Sequence, residues 1–284
     1  MMGLRTHLTR IQTIRTLSLA LMAAGLFASP AAALDPMGPP VAGLAQGQIK
    51  IGVDYSDSKM DLKLTRGKWT ELLDGVPLDA GDAVSFTLED FKAYRTYANV
   101  GFGASDNLEA FVRVGGTQGR FGDSIWEDGE DFDGSTDFAA GGGIKATFFE
   151  EGALRVGGLI QGSWAEYNGT LCAPQWPAAD RVEIDLTQVQ AAVGAAYTWA
   201  ERFSIYGGPF LHFVSGDLDD TIHEVDTATG GLLASHYSWD IEEDSVFGAY
   251  AGAQLELTDN CSFNIEYQRT AAADAVALSL MWKN

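Results

Sequence analysis

The sequence predicts an all-β protein, an antiparallel up-and-down transmembrane β-barrel of about ten strands. Three observations predict it. From about residue 48 to the C-terminus, apolar residues recur at every second position, the period of a strand with two unlike faces. No Asp, Glu, Lys or Arg falls on the apolar face of these runs. Lipid demands that, because a basic residue at mid-bilayer on a barrel's outer face costs roughly 2–4 kcal/mol. Aromatic residues gather at both ends of the same faces, as rings at two membrane interfaces do.

Of the 284 residues, 1–33 read as a secretory signal peptide. Arg5, Arg10 and Arg15 form its basic region, Thr16 to Ala28 its apolar region, and Ala31-Ala32-Ala33 offers a cleavage site before Leu34. No later stretch is apolar for the roughly 18 residues that a helical span needs. Without those three arginines, 15 basic residues face 39 acids, a net charge of −24 that argues against nucleic acid as a partner.

The rest of the chain is expected to form a single barrel, 48–284, behind a flexible periplasmic leader, 34–47, rich in Pro, Gly and Ala. Strand one carries Ile49, Ile51, Val53 and Tyr55 on its apolar face. A long irregular section to about Val84 includes the alternating Met60, Leu62 and Leu64. Strand two shows Tyr94 to Phe102, strand three Leu108 to Val114, and strand four Phe138 to Phe148. Strand five shows Leu154 to Trp164. In strand six the apolar parity changes, from Val182, Ile184 and Leu186 to Val189, Ala191 and Val193, so a β-bulge is expected near Gln188. Strand seven spans Phe203 to Phe213, and the stretch from Phe247 onward supplies strands eight, nine and ten.

Tight turns follow strands two, four, six and eight; long loops follow one, three, five and seven. The even count and this asymmetry match bacterial barrels. The face opposite the apolar one carries Lys50, Arg95, Arg113, Lys145 and Arg155 with Asp54, Glu109, Glu256 and Glu266. These are expected to pair across the lumen and close it. The expected girdles are Phe102, Phe148, Trp199, Phe203, Phe263 and Trp282 at one end. Tyr94, Phe138, Trp164, Phe213, Phe247 and Tyr267 form the other.

The Gly-aromatic strands, the phrase Tyr206-Gly207-Gly208-Pro209-Phe210, and the turn Leu257-Thr258-Asp259-Asn260 before a Phe-x-Ile-Glu-Tyr strand carry a resemblance. They resemble small Gram-negative outer-membrane β-barrel proteins of the opacity-type and porin-like class. The resemblance implies outer-membrane lipid and the barrel assembly machinery as partners. That class usually ends in an aromatic; here Trp282 is followed by Lys283 and Asn284.

Motifs for chemistry are few. No phosphate loop, nucleophile elbow or Cys/His metal spacing occurs, and no cofactor is expected. Glu127, Asp128, Glu130, Asp131 and Asp133 are read as a solvated acidic loop, with Ca²⁺ as the other reading. Cys172 and Cys261 fall at opposite ends of the expected barrel and should not pair. Three functions are carried forward. The first is a non-enzymatic structural or surface-interaction barrel with a lumen closed by charges, its surface ligand unnamed. The second is a narrow diffusion channel for small solutes. The third is a hydrolase centred on His212 with Asp217, Asp219 and Asp220.

Overall fold

The computed structural model describes residues 34–122, 131–171, 179–200, 202–225, 230–243 and 246–284. The expected signal peptide, 1–33, lies outside them.

Ten long strands form a ring in which each is antiparallel to both neighbours. They are β1 (Ile49–Leu73), β3 (Phe86–Ser105), β4 (Leu108–Gly122), β6 (Asp137–Glu151) and β7 (Leu154–Leu171). The ring continues with β8 (Ala179–Trp199), β9 (Phe203–Val225), β11 (Phe247–Glu256), β12 (Cys261–Thr270) and β13 (Ala273–Lys283). β13 pairs with β1, from Lys50↔Lys283 to Met60↔Ala273, which closes the ladder. The strand turns at Asp106-Asn107, Gly152-Ala153 and Leu257–Asn260 lie at one end, with the start of β1 and the end of β13.

The ring's faces are arranged as lipid exposure requires. Ile51, Val53, Val112, Val193 and Ile205 point outward and are half or more exposed. Asn99, Gln161, Gln190 and Ser279 point inward and are buried. A water-soluble barrel would reverse this order, because apolar area removed from water is what stabilises it.

Three further strands build a second tier. β2 (Val76–Asp82) folds back on the end of β1, β5 (Asp131–Gly134) sits between β4 and β7 above β6, and β10 (Leu232–Glu243) bridges β9 and β1. At this height β10 replaces β11, β12 and β13, so the ring narrows to eight strands. The sections read as long loops after strands one, three, five and seven are therefore largely ladder. β9 alone runs 23 residues.

The tier has the opposite polarity to the ring below. Leu62, Leu64, Leu88, Phe91, Tyr167 and Ile184 fill its interior, each 1% exposed or less. Asp185, Asp217 and Asp219 face outward to solvent. Eight strands enclose a space that side chains just fill, and this one is filled by a continuous apolar cluster.

This inversion corrects the reading of strand six. The ladder between β7 and β8 runs from Leu154↔Tyr197 to Leu171↔Asp180 without a register shift, so there is no bulge at Gln188. Val182, Ile184 and Leu186 point inward, on the same side as Gln188 and Gln190. The backbone keeps its parity while the surroundings exchange places: below, lipid is outside and polar groups inside; above, water is outside and a core inside.

Candidate functional site

The segment expected to be a flexible leader lies inside the ring. Leu34, Asp35, Met37, Val41 and Leu44 are each 3% exposed or less. The chain enters at the turn end, where Gly47 donates to the Gly103 carbonyl and Gln46 to Asp106. It then runs up the lumen to Leu34. An irregular chain can be buried only if its backbone polar groups find partners. Two features make that possible here. Pro36, Pro39 and Pro40 have no N–H to satisfy. The wall supplies acceptors and donors for the rest.

The wall contacts come largely from the charged residues picked out by sequence. Glu266 accepts from the amides of Met37 (2.9 Å) and Gly38 (2.8 Å). Lys145 Nζ donates to the carbonyls of Met37 (2.6 Å) and Pro39 (3.1 Å). Arg155 donates to Ala42 O, and Glu109 accepts from Gly43 N while pairing with Lys50. Gly38 takes φ of +66°, and a Cβ there would stand 3.0 Å from Lys145 Nζ, so glycine suits both the turn and the contact. Between these bonds Leu34, Met37 and Val41 pack on Phe111, Leu159 and Tyr206.

Asp35 is the centre of the arrangement. Its carboxylate forms ion pairs with Arg95 (3.0 Å) and Arg113 (2.9 Å) and accepts from Ser163. Gln268 donates to its backbone carbonyl at 2.7 Å. The two guanidiniums are themselves fixed. Arg95 Nε donates to the Tyr167 hydroxyl at 3.0 Å and Nη1 to Gln188 at 3.1 Å. Arg113 lies over the Tyr97 ring at 4.9 Å and donates to Pro36 O.

The expectation that strand charges pair with one another needs correction. Among the described residues, Lys50–Glu109 is the one ion pair joining two of the predicted lumen charges. Arg95, Arg113, Lys145, Arg155 and Glu266 turn instead to the segment 35–42. Glu256 accepts from Gln254, and Asp54 from Asn99. Beside the segment, and lined by it from Pro36 to Leu44, is a polar cavity of about 190 Å³ whose other wall includes Lys50, Asp54, Asn99, Glu256, Asn264 and Ser279. Sequence reasoning missed Asp35, although a signal was present. The inward charges numbered five basic and four acidic, and Asp35 is the absent fifth acid.

The girdle residues all sit on the outer face. Phe102, Phe148, Trp199 and Trp282 are exposed at the turn end, with Phe203 and Phe263 half-buried beside them. Phe138, Trp164, Phe213 and Phe247 are exposed at the other end, with Tyr94 and Tyr267 half-buried; Phe138 and Trp164 lie 6.1 Å apart.

The His212 constellation is not assembled. His212 points inward at 1% exposure, while Asp217 and Asp219 point outward. Asp220 is inward but eight residues along the strand, roughly 26 Å away at about 3.3 Å per residue. Of the acidic loop, Glu127, Asp128 and Glu130 lie outside the described residues, and Asp133 pairs with Arg120. Among the described residues no three or more His, Cys, Asp or Glu cluster as metal ligands. Cys261 carries a buried free thiol at the turn end; Cys172 lies outside the described residues.

A closed sheet with an uncharged outer belt between two aromatic girdles is a membrane-spanning barrel. Its place is the outer membrane. No family model and no curated protein matches the chain. Solved structures with a similar course include the outer membrane protein OprG from Pseudomonas aeruginosa. That match has 8% identity and a TM-score of 0.44, and covers 85% of this chain and 98% of that one. The outer membrane protease OmpT from Escherichia coli matches at 10% identity and TM-score 0.42, covering 83% and 94%. The translocator domain of autotransporter NalP from Neisseria meningitidis matches at 9% identity and TM-score 0.41, covering 98% and 97%.

Proposed function

We propose that this chain is a non-catalytic, non-conducting outer-membrane barrel that holds an extracellular tier at the cell surface for structural or surface-interaction purposes. One observation carries the reading: the lumen is obstructed twice. The segment 34–44 occupies the membrane tier, leaving a polar cavity of about 190 Å³ beside it, and an apolar core fills the extracellular tier above. A diffusion channel needs a continuous wet path, and neither tier supports one. The scattered placement of His212 and its acids supports a non-enzymatic role. Proteoliposomes loaded with the folded protein should swell in small sugars no faster than protein-free liposomes. Swelling that scales with the amount of protein would replace this reading by the channel.

A further inference from the structure

Above the apolar core, at the mouth of the extracellular tier, is a second concave site of about 680 Å³. Its wall is built by the ladders. Trp69 on β1 stands opposite Tyr237 on β10, and Tyr237 stands opposite Asp220 on β9. Directly opposed residues on antiparallel strands share a face with Cβ atoms ~5 Å apart, so these three form one row across three strands. One step down, Trp239 stacks on Tyr237 with centroids 5.7 Å apart and a 7° angle, and meets Phe86 edge-on at 5.5 Å. Trp239 is held in place. Its indole N–H donates to Val84 O at 3.1 Å, and a bulge after Thr65 brings Gly67 beneath the ring, where any Cβ would overlap it.

Charge at this site has one sign. Glu71, Asp82 and Asp220 line it, and among the described residues no Lys, Arg or His does. Asp220 is 8% exposed, and its polar neighbour is a second carboxyl, Asp180. Burial and the neighbouring Asp180 push its carboxyl well above the ordinary range. Two neighbouring carboxyls in such surroundings share a proton in the empty site, and a cation bound beside them would take that proton's place.

We infer that this pocket binds an organic cation of the quaternary or alkylated ammonium class, held against Trp69, Phe86 and Tyr237 with Trp239 backing Tyr237, and neutralised by Asp220, with Glu71 and Asp82 at the rim. Electron-rich ring faces attract a cation that carries its own apolar surface, and a carboxylate alone would favour a small hydrated ion instead. The site stands apart from the seal, because the apolar core separates it from the segment 34–44.

The test is a titration of intrinsic tryptophan fluorescence on the full folded chain in a nonionic detergent. Choline is the probe, and its neutral isostere 3,3-dimethylbutan-1-ol is the control. Choline should give a saturable change at millimolar or lower concentration, and the isostere should bind at least about tenfold more weakly. Asp220→Asn and Trp69→Leu should each weaken choline by about tenfold, with folding checked by the heat-dependent shift on a detergent gel. Asp82→Asn, on the exposed hairpin strand, should weaken it by about threefold and keeps the test alive if a buried-site variant fails to fold. The inference is overturned by no saturable response to choline, by equal binding of the isostere, or by unchanged affinity in the folded carboxylate variants.

Discussion

Replacing Asp35 by alanine should release the N-terminal segment from the lumen while leaving the ring of ten strands intact. The carboxylate is 2% exposed and is the ion-pair partner of two arginines that are fully buried. Breaking a buried pair by removing one partner costs about 3–5 kcal/mol, because the remaining charge is left uncompensated. The segment's other wall contacts are charge-assisted hydrogen bonds to Glu266, Lys145, Arg155 and Glu109, about 1.5–3 kcal/mol each, and the packing of Leu34, Met37 and Val41; each is weaker than the double ion pair at Asp35. Withdrawal lets water hydrate Arg95 and Arg113, which removes their penalty without unfolding the barrel. Proteinase K should therefore trim the variant to about Gln46 and spare the wild type, and intact-mass measurement reads the difference. Asp35→Asn, which keeps the shape and loses the charge, should fall between them. Equal protection of wild type and Asp35→Ala would show that the ion pairs do not hold the segment.

The second large effect is expected at Phe91→Ala. Phe91 is 0% exposed in the eight-stranded tier, meets Tyr167 edge-on at 5.1 Å and lies 6.2 Å from Phe121 between ring centroids. Gly119 lies against it so closely that a Cβ there would stand 3.0 Å from the ring. Removing a phenyl ring from such a site costs about 3–5 kcal/mol, through lost transfer energy and the cavity left behind. Urea titration of the folded fraction in detergent should show that loss. The lipid-facing belt is untouched, so the variant should still insert into liposomes. A loss below about 1 kcal/mol would mean that the tier is not packed as a core.

How much of this was legible in the sequence follows from what a period of two reports. Alternation shows that a strand separates two environments, and charge placement on β1, β4 and β12 shows that lipid is outside. It does not show at what height the environments change. Val182, Ile184 and Leu186 therefore looked like the lipid face displaced by a bulge, when they are an inward core above the membrane. Met60, Leu62 and Leu64 raised the same question on β1 and sat in what looked like a loop. The irregular segment 34–47 was less legible still. It has no periodicity, and its bonding partners lie far along the chain: Glu266 is 229 residues from Met37, and Arg113 is 77 from Pro36. The alternation assigned the charged residues to the inner face. Their partners were not, because backbone carbonyls and amides carry no mark in the sequence. The pocket at the mouth escaped notice because it forms only when β10 lies between β9 and β1.

The central claim is that two independent obstructions close this barrel, and single-channel recording in planar bilayers tests it most directly. Folded wild-type protein should give no steady conductance steps. Asp35→Ala should also stay closed, because the core around Leu64, Phe91 and Ile184 blocks the path above the emptied ring. Uniform ohmic steps from the wild type would contradict the account outright. Steps from Asp35→Ala alone would show that the apolar core is no seal and that the N-terminal segment is the only gate.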